Sequence, residues 1–89
     1  MIIYKIKHRQ TGLFYTPSRG GNNLTSKGKI YDKRPCLKLI DTVRVVIWKK
    51  RKYTAKEQAI LDCFGIEITD YKIDKRFGTP ESQWEIVTV

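Results

Sequence analysis

The chain predicts an α+β domain: a small, mostly antiparallel sheet of about five strands, in the order β-β-β-α-α-β-β, with two helices on one face. Three observations predict it. Apolar residues alternate at both ends, over residues 2–8 and 84–89, which is the period of a half-buried strand. Between them the spacing changes to three and four, and Leu37, Ile40, Val43 and Ile47 fall on one helical face. Thr54-Ala55-Lys56-Glu57 then has the form of a capping box.

Taken in order, Ile2, Tyr4 and Ile6 share one face of the first predicted strand, and Ile3, Lys5 and Lys7 the other. If Lys5, Lys7 and Arg9 share a face, that face is wet and the helices cover its opposite. Arg9-Gln10-Thr11-Gly12 is a turn, and Leu13-Phe14-Tyr15-Thr16 the returning strand, ended by Pro17. Residues 18–23 are polar and turn-rich and read as a flexible connection. A short edge strand is expected around residues 29–31.

From Pro35 the helical period takes over. Proline suits a first helical turn, and Lys49 to Lys52 suit the last, where cations meet the negative end of the dipole. Val43 to Trp48 is β-branched and aromatic and locally favours a strand; the period favours a helix, with a strand as the alternative. The second helix begins at Thr54, carries the stripe Ala59, Ile60, Cys63 and Phe64, and ends at Gly65. A strand over residues 66–73, a loop over 74–82 and a closing strand from Trp84 complete the order.

At 89 residues and 40% hydrophobic composition, one core and one domain spanning residues 1–89 are expected. Ten aromatic residues argue against disorder. No apolar run approaches a membrane span and no secretory segment opens the chain, so a cytoplasmic protein is expected. Cys36 and Cys63 are too few for a disulfide scaffold and read as two small buried thiols.

Charge is uneven. Residues 1–54 hold 14 Lys or Arg against Asp32 and Asp41, a net +12; residues 55–89 hold four cations against seven acids, a net −3, which together give the overall +9. A basic first part suggests a polyanionic partner, most commonly nucleic acid. The acids Glu67, Asp70, Asp74, Glu81 and Glu85 suggest a second, oppositely charged face, suited to bridging partners or to head-to-tail self-association.

Three basic groups stand out. Trp48-Lys49-Lys50-Arg51-Lys52-Tyr53 flanks four cations with two aromatics, joining phosphate contact to possible stacking; its structural alternative is a solvated helix end with both aromatics in the core. Lys27, Lys29, Lys33 and Arg34 surround Tyr31. Lys5, Lys7 and Arg9 alternate on a strand. Arg19, beside Gly20-Gly21, adds a basic, glycine-rich loop able to fit a phosphate backbone.

Catalytic sets are missing. His8 is the only histidine and is expected to be exposed or at an edge. Cys36, Cys63 and His8 lack metal-ligand spacing. Glu67 has the opposite strand parity from Asp70 and Asp74, against a two-metal site. No enzyme, metal or cofactor is expected; a small nuclease is the least favoured reading.

Tyr4-Lys5-Ile6-Lys7, Thr11-Gly12-Leu13-Phe14-Tyr15, Ser26-Lys27-Gly28-Lys29-Ile30-Tyr31 and the closing Trp84-Glu85-Ile86-Val87 resemble small bacteriophage-encoded proteins of poorly defined function. The resemblance implies a phage origin and life in a bacterial cytoplasm. It supplies no catalytic residues and leaves residues 35–65 unmatched. The expectation is a non-enzymatic binding protein contacting nucleic acid or a nucleic-acid-bound host effector complex. The alternative is an inhibitor of a bacterial defence complex, anti-CRISPR-like, acting by protein–protein contact.

Overall fold

The computed structural model describes residues 2–17 and 21–89, Leu39 by its backbone only. Arg19 and the first part of the predicted glycine-rich loop lie outside the described residues. The strands are β1 (Tyr4–His8), β2 (Phe14–Tyr15), β3 (Leu24–Thr25), β4 (Thr42–Trp48), β5 (Lys72–Gly78) and β6 (Trp84–Thr88), with one helix, α1 (Ala55–Phe64). The fold is therefore α+β with antiparallel pairing, but it has six strands and one α-helix among the described residues.

The strands form two sheets. The larger runs β3-β2-β1-β6 and the smaller pairs β4 with β5. One core joins them: Ile6, Leu13, Leu24 and Trp84 from the first meet Val43, Val45, Ile47 and Ile73 from the second, with Ile60 and Leu61 of α1.

The main correction concerns residues 42–48. They form a strand, and only Leu37–Leu39 keeps a single 3-10 turn of the predicted helix. Val43 and Ile47 share a face in either conformation, so those two positions cannot distinguish helix from strand. Val45 can. On a helix it would lie about 200° from Val43; on the strand it points inward, and Val43, Val45 and Ile47 are all buried to 1% exposure or less. Burying a third β-branched side chain outweighs the helical period.

The same pairing moves the following strand. Trp48 lies opposite Lys72 and Thr42 opposite Gly78. Residues 66–70 therefore run past the end of β4 and have no strand partner among the described residues, while most of the predicted loop from Asp74 becomes strand. Ile66 and Ile68 still pack against the core. Residues 29–31 are not a regular strand: Tyr31 bridges to Tyr4 through two backbone bonds of 2.8 Å, beyond the short end of β2.

Other expectations hold in detail. β1 and β2 form a hairpin through Gly12, whose φ is +72°. Thr54 Oγ1 accepts from Glu57 N (3.2 Å) while Glu57 Oε1 accepts from Thr54 N (3.1 Å), and Gly65 ends α1 in the left-handed region.

His8 is not exposed. It sits at 0% exposure beside Phe64 and Trp84, on the same face of β1 as Ile6. Cys36 is exposed rather than buried, and Cys63 is half-buried.

Asn22 and Asn23 also depart from the flexible-connection reading. Asn23 Oδ1 accepts from Arg44 N (2.7 Å), its Nδ2 donates to Thr16 O (3.0 Å), and its backbone N donates to Arg44 O (3.1 Å). Asn22 Oδ1 accepts from Val46 N. The two side chains occupy the edge of β4 that β5 leaves open, and so fasten the two sheets together.

Candidate nucleic-acid interface

β4 delivers Trp48 to the surface. Alternation buries Ile47, so its neighbour must point outward, and Trp48 is 51% exposed. The ladder places Lys72 directly across from it. Lys72 Nζ lies 5.0 Å from the Trp48 ring centroid, a cation–π contact. Tyr71, 73% exposed, lies at 5.7 Å between ring centroids, its position fixed by the bond from Lys49 N to Tyr71 O (2.8 Å).

The basic run follows as the connection to α1, with Lys49, Lys50, Arg51 and Lys52 all exposed. Lys50 is committed: its Nζ reaches both carboxylate oxygens of Glu57 at 3.0 and 3.2 Å. Lys49, Arg51 and Lys52 form no ion pair among the described residues. Tyr53 packs against the core. The two aromatics thus divide, Trp48 outward and Tyr53 inward.

Arg44 lies on the same outer face and donates to Asp74 through Nε (2.9 Å) and a terminal nitrogen (2.6 Å). That guanidinium holds the Asp74 carboxyl below its usual range. Glu57 is likewise held low, first by the backbone N–H of Thr54 and then by Lys50. Glu67, Asp70 and Asp74 line one shallow hollow with Lys72 and Lys75, yet among the described residues no group of three His, Cys, Asp or Glu side chains is arranged to hold a metal.

The second basic group lies elsewhere. Lys27 and Lys29 are exposed near the β2–β3 end of the larger sheet, with Lys29 Nζ 5.2 Å from the Tyr31 ring centroid. Lys33 and Arg34 border a groove beside Tyr31. In the third group, Lys5 stands 5.1 Å from the centroid of Phe14, Lys7 lies 4.0 Å from Glu85, and Arg9 Nε donates to Trp84 O at 3.3 Å.

Tyr71 and Lys72 were not foreseen as partners of Trp48. A signal was available: Ile68 and Ile73 have opposite parity, so a single strand over 66–73 cannot bury both. A break between them frees Tyr71.

These features define a small α+β protein with an exposed aromatic pair beside a basic connection. The chain matches no protein-family model, no curated protein and no solved structure. No helix of the described residues is long and apolar enough to cross a membrane.

Proposed function

We propose that the chain is a non-enzymatic, phage-encoded binding protein of the bacterial cytoplasm that holds nucleic acid, alone or within a ribonucleoprotein, at Trp48 and Tyr71. The observation that carries this is the exposed Trp48–Tyr71 pair beside Lys72. A large aromatic left half in water forgoes burial. Stacking on bases recovers it, at about 1–3 kcal/mol per base. Lys49, Arg51 and Lys52 supply the phosphate contacts, with Lys50 holding the connection to α1.

The test is fluorescence anisotropy with single-stranded DNA, RNA and duplex at rising salt. Affinity should fall with salt by a log–log slope of about −0.7 per neutralised phosphate on a single strand. Trp48→Ala should weaken binding by one to two orders of magnitude, roughly the stacking term, and K49A/R51A/K52A should flatten the salt slope. No binding at ~50 mM salt, or unchanged binding by both variants, overturns the reading.

The alternative, inhibition of a defence complex by protein contact, draws on the same exposed Trp and Tyr, residue types enriched at binding hot spots. It predicts a partner whose capture depends on Trp48 but responds little to salt.

A further inference from the structure

An apolar groove lies away from Trp48, beside the larger sheet. Its volume is about 390 Å³, within the range of small-ligand sites. Ile6 and Ile40 form the buried floor, at 2% and 5% exposure. Tyr15 and Tyr31 supply flat aromatic surface. Tyr15 is braced edge-on against Trp84 at 5.8 Å and 86°. Tyr31 is fixed by its backbone bridge to Tyr4. The Tyr15 ring is thus braced, and the Tyr31 backbone anchored, before any ligand arrives.

Lys33 and Arg34 stand at this groove, both exposed and both without an ion pair among the described residues. Asp32 is the only acid among the described residues that line it. An apolar groove with two tyrosines, beside two cations, one a guanidinium that can bind phosphate in a bidentate fork, fits a planar ring joined to an anion. Burial and the neighbouring Tyr15 push the Tyr31 hydroxyl up.

We propose that this groove binds one nucleotide, the base between Tyr15 and Tyr31 and the phosphate on Lys33 and Arg34. The nucleotide comes either free or as one unit of a strand. The site deepens the nucleic-acid reading at a second place in the fold, but a free mononucleotide tests it without any polymer.

Cys36 is exposed and lines the same groove, and it provides the probe. In a Cys63→Ser background, the rate of Cys36 modification by a thiol reagent is followed with 5′-AMP, 5′-UMP, adenosine or inorganic phosphate added. The mononucleotides should slow the reaction and shift the backbone NMR signals of Tyr31 to Cys36. K33A/R34A should weaken that protection at least about tenfold, since even one charge-assisted hydrogen bond lost costs that much. Tyr31→Ala should abolish it, with Tyr31→Phe retaining most of it as the control for folding. Trp48→Ala should leave it unchanged.

No protection by either mononucleotide overturns the proposal, as does equal protection by phosphate alone, which marks a plain anion site. Protection by mononucleotide with no shift on adding an oligonucleotide identifies the free nucleotide as the ligand. Failure of polymer binding at Trp48 with Cys36 protection intact removes only the earlier reading.

Discussion

His8 illustrates how one residue's environment sets a measurable property. Its Nε2–H donates to Gln83 Oε1 (3.1 Å), and Nδ1 accepts from the Thr11 hydroxyl (3.0 Å), which itself accepts from Leu13 N (3.3 Å). That pattern suits neutral imidazole. Burial lowers the pKa from 6.5, partly offset by the bond to Gln83. The unfolded chain then binds a proton that the native state resists. Stability is fully present above about pH 6.5 and declines as pH falls below it, toward the lower native value. With no other histidine in the chain, urea unfolding from pH 7 to 5.5 should show this loss, and an NMR titration of the His8 ring should give a midpoint below 6.5. A midpoint at or above 6.5 contradicts the burial argument. Gly28 is as constrained. Its φ is +73°, and a Cβ there would lie 2.3 Å from Phe14 Cβ. Gly28→Ala should cost about 2 kcal/mol or more and lower Tm by roughly 10 °C; a wild-type Tm refutes the clash.

At the scale of elements, the Asn22–Asn23 segment does what a strand would otherwise do. Asn23 is 6% exposed and satisfies backbone groups of both Arg44 and Thr16. Asn23→Ala leaves those groups without their partner, an expected loss of about 1–3 kcal/mol. Hydrogen exchange at the Arg44 amide should accelerate more than at Ile60 in α1. Uniform acceleration would argue for global destabilisation and against a local clamp. This element also explains what was legible in sequence and what was not. The hairpin turn and the capping box rest on contacts within a few residues, so their patterns carry them; the closing strand shows by its own alternation, although its partner β1 lies at the other end of the chain. The identity of β4, the start of β5 and the Asn clamp depend on partners 20 or more residues away, and a one-dimensional period cannot see them. Part of the candidate site was legible for the same reason: Trp48 and its cations are contiguous, whereas Tyr71 and Lys72 reach them only through the ladder.

At the scale of the molecule, the charge imbalance of the sequence is partly cancelled in space. All three ion pairs among the described residues join a cation of the first part to an acid of the second: Lys7 with Glu85, Arg44 with Asp74 and Lys50 with Glu57. Most are exposed and worth little individually. Their effect is on distribution, because they remove cations from the basic surface, and two groups of the cations that stay outside these pairs adjoin aromatic surface. One is at the Trp48 end of β4. The other is at the groove reached through Ile40, just before the opposite end. Six residue steps from Thr42 to Trp48 at about 3.3 Å each separate them by roughly 20 Å, on a molecule 44 Å long. Two sites held apart by one strand of the fold should act as a bivalent ruler. Short oligonucleotides should bind either site weakly and independently. Once a strand is long enough to span both, affinity should rise by about two orders of magnitude, since the second contact becomes intramolecular. Either K33A/R34A or Trp48→Ala should return a long strand to short-strand affinity and reduce its salt slope. If affinity grows smoothly with length in all three proteins, the two sites do not share a strand, and the groove and the aromatic pair serve separate ligands.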